Sequence, residues 1–209
     1  SRRQLSGQHH EFGRLGGEPD RLPHCRTPAD ARPDQSRGQA AGDPHFHTDP
    51  RTILSVAEAL AKRLATLDPK HASGYRQRHE DFARRWRAAI ARWEREGAIL
   101  KGKHAISLHK SWTYLYRWLG IHEVAVLEPR PGVPPTSSHL AQILTQQKRS
   151  SAQMIVLAAY QDPQAAQWLH EQSGLPVIKL PYTVGGNEKA VDLFALFDDT
   201  ITRLKGAIR

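Results

Sequence analysis

Twelve histidines are the chemical surplus of this 209-residue chain. Two of them stand where chemistry is plausible. His45 lies inside the run Asp43-Pro44-His45-Phe46-His47-Thr48-Asp49-Pro50, and His109 closes the apolar segment that begins at His104. Neutral imidazole is a good ligand for zinc, and a metal site assembled from distant segments needs its ligands on the ends of rigid elements. The competing reading of either residue is a helix-capping or surface histidine. His47, two residues from His45, would share a side with it on an extended backbone, although a capping or supporting role suits it better. Signatures of other chemistry are missing: no P-loop, no G-x-G-x-x-G, no G-x-S-x-G and no H-E-x-x-H. The lone Cys25 rules out an internal disulfide and a cysteine-based zinc knuckle.

The elements that must position these histidines follow from punctuation and period. Asp49-Pro50 is a helix start, with Asp as N-cap and Pro at the first helical position. Ile53, Val56, Ala57, Leu60, Leu64 and Leu67 then recur at helical spacing. Asp68-Pro69 repeats the start signal for a longer helix reaching about Glu96. Its Tyr75, Phe82, Trp86 and Trp93 fall on one stripe, which reads as core packing rather than a base-stacking platform. From Lys101 the grammar becomes α/β. Strands are expected at 104–108, 123–127, 154–159 and 177–180, with helices at 111–119, 137–149, 163–173 and 190–208. Four such units predict a four-stranded parallel sheet flanked by helices. Ligands of such sheets bind beyond the carboxyl ends of the strands, which singles out His109, Glu128, Tyr160 and the 181–186 loop.

Composition bounds the alternatives. Hydrophobic content of 39% with 24% charged residues is that of a globular protein, and no apolar run approaches a membrane span. Ser1-Arg2-Arg3-Gln4 is not followed by a long apolar stretch, so no secretory signal is visible. Residues 1–42 are rich in Arg, Gln, Gly, Pro and Asp without a period of 2 or 3.6, and are expected to be disordered. The net charge of +9 is densest between Arg76 and Arg95, which raises nucleic acid as an alternative partner, bound through that helix.

Ordered motifs carry a resemblance. The run from Asp43 to Pro50, then Leu108-His109-Lys110-Ser111-Trp112, then Glu128-Pro129-Arg130-Pro131-Gly132-Val133-Pro134-Pro135, resemble those of the periplasmic zinc/manganese-binding proteins of ABC importers. The closing Leu180–Gly186 and 192–200 segments are similar to a zinc-type branch of that family. The resemblance implies two lobes joined by one long helix, with metal held in the cleft between them. It makes His45 the ligand that closes the first lobe and His109 the ligand that opens the second. The helix after Pro69 becomes the interlobe rod, its arginines a solvated face, and nucleic acid drops out as a partner.

The implied cargo is zinc, with manganese the lesser alternative, because manganese-favouring relatives tend to carry a carboxylate where His109 stands. The implied function is capture and delivery to the membrane permease of an ABC-type importer, in the periplasm, without catalysis. On this view residues 43–100 are a remnant of the first lobe plus the linking helix, and 101–209 form the C-terminal lobe. The upstream histidine ligand of the family has no counterpart among His9, His10 and His24, none of which sits in a strand–helix context. A truncated or frame-shifted gene would account for that. Glu188 is a loose candidate for the carboxylate that some relatives place after the last strand, with water left to fill the position otherwise. Glu128 reads as orienting the Pro-Gly loop or a ligand histidine rather than binding metal itself.

Overall fold

Helix α1 (Pro50–Leu67) begins where Asp49 caps it, its carboxylate accepting from the Arg51 amide at 2.9 Å. The computed structural model describes residues 42–130 and 132–208. The disorder expected of residues 1–42 therefore falls, but for Gly42, outside the described residues. Asp68 does not repeat the capping role of Asp49. Residues Pro69–His71 form a 3-10 turn, and the long helix α2 (Ala72–Gly97) starts only after it. The backbone of Asp68, at φ −133° and ψ 74°, leaves its carboxylate to two side chains, His71 Nδ1 at 2.8 Å and Tyr75 Oη at 2.9 Å. A local side-chain partner has outcompeted the backbone.

The aromatic stripe of α2 is core, as its spacing implies. Trp86 and Trp93 are fully buried, their rings meet edge-on at 5.1 Å, and Phe194 and Phe197 close over them. Each indole N–H finds an acceptor: Trp86 donates to the Pro50 carbonyl at 2.7 Å, and Trp93 to Asp198 at 2.5 Å. The first of these bonds ties the start of α1 to the middle of α2. On the outer face Arg76, Arg78, Arg84, Arg85, Arg87 and Arg95 are exposed. Arg84 and Arg85 pair with Asp81, while Arg92 pairs with Asp198 and Glu96.

The α/β grammar unfolds as expected: β1 (His104–Ser107), α3 (Thr113–Leu119), β2 (His122–Val126), α4 (Ser137–Ser150), β3 (Met154–Ala158), α5 (Gln164–Ser173), β4 (Val177–Leu180) and α6 (Leu193–Gly206). The strands are all parallel, in the order β2-β1-β3-β4. β4 has its expected bounds, and elsewhere the ends coincide with the expected ones or differ by one to three residues. At α6 the reason is plain: the Asp192 carboxylate accepts from the Ala195 amide and fixes the start at Leu193. At α3, Gly120 ends the helix at φ +69°, and a Cβ there would come within 3.1 Å of the Lys101 side chain.

Alternation along β3 divides the interior. Met154, Val156 and Ala158 join the cluster of Trp86, Trp93, Trp112, Trp118 and Phe197 under α2, α3 and α6. Ile155 and Leu157 face the other way, into Ile106, Leu140, Ile143 and Leu169 under α4 and α5. A sheet buried on both faces explains why its strands read as continuous apolar runs. Because β1 has β2 on one side and β3 on the other, the chain order reverses there, and ligands of such sheets bind beyond the carboxyl ends of the strands at that point.

Candidate metal centre

His45 sits in a 3-10 turn, Pro44–Thr48, that the sequence builds from polar bonds. Asp43 caps it, accepting from the His45 amide at 2.9 Å. Thr48 Oγ1 donates to the His45 carbonyl at 2.8 Å and Thr52 Oγ1 to the Phe46 carbonyl at 2.6 Å. The turn packs on α3, which follows His109 in the chain. His109 itself leaves β1 where the Leu108 amide still donates to the Val156 carbonyl, so its backbone is anchored in the sheet to within one residue.

The two imidazoles face each other, with ring centres 6.2 Å apart and planes inclined by 79°. Each has a carboxylate on Nδ1: Asp43 Oδ1 lies 2.6 Å from His45, and Glu128 Oε2 lies 2.8 Å from His109. A carboxylate accepts only, so both Nδ1 atoms carry the proton and both Nε2 atoms present lone pairs. That is the arrangement in which an outer carboxylate sets the tautomer and raises the basicity of a metal-binding histidine. All four side chains are about four-fifths buried. With Zn–N at ~2.0–2.1 Å, two rings on one tetrahedral ion would have centres ~5.2 Å apart. Closing the observed 6.2 Å to that value needs a shift of ~1 Å.

Aromatic residues wall this pair. Tyr182, in the loop after β4, meets His45 at 6.1 Å, His47 at 4.7 Å, Trp112 at 5.6 Å and Tyr160 at 5.6 Å. Burial, then the neighbouring Tyr160 and Asp43, push the Tyr182 phenol up to about 12. His47 does not join the pair. Its Nε2 is buried without a hydrogen-bond partner, and burial followed by the nearby His45 holds its pKa below the ordinary value, which favours the neutral ring. Glu188 is exposed in the 181–190 loop.

At the end of β1 lies a polar network that sequence patterning does not reveal. Ser107, fully buried at the end of β1, donates to Glu123 Oε1 at 2.6 Å and meets the Tyr116 hydroxyl at 3.0 Å. Burial raises the Glu123 carboxyl above its usual range, against the lowering effects of Ser107, Lys110 and His109. Glu123 sits inside an apolar run and gives no periodic signal. Asp43 could have been found: an Asp two residues before a histidine, with Pro between, forms an Asx-type turn. Among the described residues no three His, Cys, Asp or Glu side chains converge closely enough to hold an ion by themselves. No described helix is long and apolar enough to cross a membrane.

Comparison with known proteins bears on family and fold. The profile of the family described as zinc-uptake complex component A, periplasmic (ZnuA), matches residues 4–207. A putative metal-binding protein of Treponema pallidum (strain Nichols) is 23% identical over 181 residues, covering 81% of this chain and 57% of its own length. The crystal structure of a ZnuA protein superposes with a TM-score of 0.69 at 20% identity, covering 82% of this chain and 62% of that one. The solute-binding protein FpvC of Pseudomonas aeruginosa, in complex with Mn2+, gives 0.65 at 22% identity, covering 80% and 62%. The chain thus spans about three-fifths of the length of these relatives.

Proposed function

Because this chain belongs to the periplasmic zinc-uptake component A family, we propose that it captures a divalent metal ion between His45 and His109, as a binding protein rather than an enzyme. The observation that carries the reading is the pair of facing imidazoles from distant segments, each with Nδ1 on a carboxylate. Such rings need no change of tautomer when the ion arrives, and what remains is the ~1 Å closure of the pair. The ion is cargo. It is released intact.

Zinc is the preferred cargo on this reading, since both inward groups are nitrogen donors and oxygen donors favour manganese. Water completes the coordination shell. The receiving partner is the membrane permease of an ABC-type importer, and the compartment is the periplasm. Calorimetric titration with Zn2+ and with Mn2+ tests the choice of ion. Zinc should bind at least about tenfold more tightly, in keeping with the order Mn2+ < Zn2+ at nitrogen sites. Equal affinities, or tighter manganese, would remove the zinc assignment.

A further inference from the structure

His104 and His122 open β1 and β2 and are direct partners in the parallel register. Registered neighbours on adjacent strands project to the same face. Their ring centres are 5.5 Å apart with planes inclined by 69°. That separation is within ~0.3 Å of the ~5.2 Å expected for two imidazoles on one tetrahedral ion, a closer fit than the pair beyond the carboxyl end of β1.

Second, His104 is prepared as a ligand. Its Nδ1 lies 2.6 Å from the Ser150 carbonyl, which can only accept, so Nδ1 carries the proton and Nε2 presents the lone pair. A backbone carbonyl on the far nitrogen is the usual support of a metal-binding histidine. Ser150 is also the last residue of α4, so the negative end of that helix dipole points at the pair and favours a cation there. The Gln153 side chain accepts from the His104 amide at 2.6 Å and fixes the backbone. His122 is exposed on the edge strand β2, which leaves the pair open to solvent.

We propose that His104 and His122 form a second, solvent-facing site for an imidazole-seeking divalent transition-metal ion, such as Ni2+, with water in its remaining positions. His104 and His109 lie at opposite ends of β1, five residue steps apart, which is up to ~16 Å of extended chain, so the two pairs do not share an ion. With only two protein ligands this site is the weaker one.

The test is residue-resolved NMR on the full chain carrying His45→Ala and His109→Ala, with histidine rings labelled and Ni2+ as the paramagnetic probe. Substoichiometric Ni2+ should broaden the ring signals of His104 and His122 together, ahead of His71, His79, His139 and His170. Adding His122→Ala, an exposed position that does not threaten folding, should raise the Ni2+ needed to broaden His104 at least tenfold. Broadening of His104 that is unchanged by His122→Ala would overturn the proposal. So would rings of His104 and His122 that respond no earlier than the other described histidines.

Discussion

At the scale of residues, the site is a matter of tautomers. His45 and His109 could each have been a surface or capping residue; what favours the proposed ligand role is that their rings face each other, about four-fifths buried, each with a carboxylate on Nδ1 at 2.6 Å and 2.8 Å. In sequence Glu128 reads as orienting the Pro-Gly loop or a ligand histidine, and its Oε2 lies 2.8 Å from His109 Nδ1. Asp43 went unread because its capping bond and its ring bond come from one carboxylate, and the dipeptide signal shows only the cap. Removing either support should be felt in metal binding, and for Glu128, which caps no element, not in folding. Asp43→Ala and Glu128→Gln should each weaken zinc affinity by ~10–100-fold, measured by chelator competition, with the melting temperature of the metal-free Glu128→Gln chain nearly unchanged. Affinity unaltered in both would mean that the carboxylates do not tune the rings.

Glu123 offers a pH prediction at the same scale. Its folded pKa is raised, so the folded chain holds this proton more tightly than the unfolded one. The contribution to stability is fully present below the unfolded value of ~4.3 and is lost as pH rises through the higher folded value. Glu123→Gln keeps a neutral partner for Ser107 and removes that loss. Denaturant midpoints of the variant relative to the parent should therefore rise from pH 4 to pH 7. A parent–variant difference that does not change over this interval contradicts the burial of an unfavourably ionised carboxyl.

At the scale of elements, the legible features were those with a single physical cause. Asp49-Pro50 started a helix because nothing competed for the Asp49 carboxylate except Arg51, which can share it. Asp68-Pro69 looked identical in sequence yet gave a 3-10 turn, because His71 and Tyr75 are close enough to take the carboxylate. Such three-dimensional competition has no one-dimensional signature. The strands were legible because they are buried on both sides, whereas their order, β2-β1-β3-β4, was not. Helix α2 carries a stability prediction. Trp86 is fully buried among Phe82, Trp93, Phe194 and Phe197. Trp86→Ala should cost ~3–5 kcal/mol in denaturant unfolding, with a further penalty from the freed Pro50 carbonyl. A cost under ~1 kcal/mol would show that this stripe is not core. The arginines on the opposite face of α2 are solvated and in part paired with Asp81, Asp198 and Glu96. Titration with duplex DNA should accordingly show weak binding that fades with salt and has no sequence preference.

At the scale of the whole molecule, the chain spans about three-fifths of its relatives' length and offers two inward-facing ring nitrogens for an ion that favours four ligands. Val56, Leu60 and Leu67 leave half of the apolar stripe of α1 exposed, although the helix starts and ends where its caps place it. Zinc held by two histidines and water should therefore bind this chain more weakly than a site with four protein ligands. The affinity that remains must run through both rings at once, which is the central claim. Calorimetric zinc titration of the parent chain, His45→Ala, His109→Ala and the double variant measures it most directly. Each single substitution should weaken the tightest binding event by at least about tenfold, and the double variant should be little worse than either, because one ring alone cannot hold the ion. Single variants that bind zinc as tightly as the parent would contradict the account.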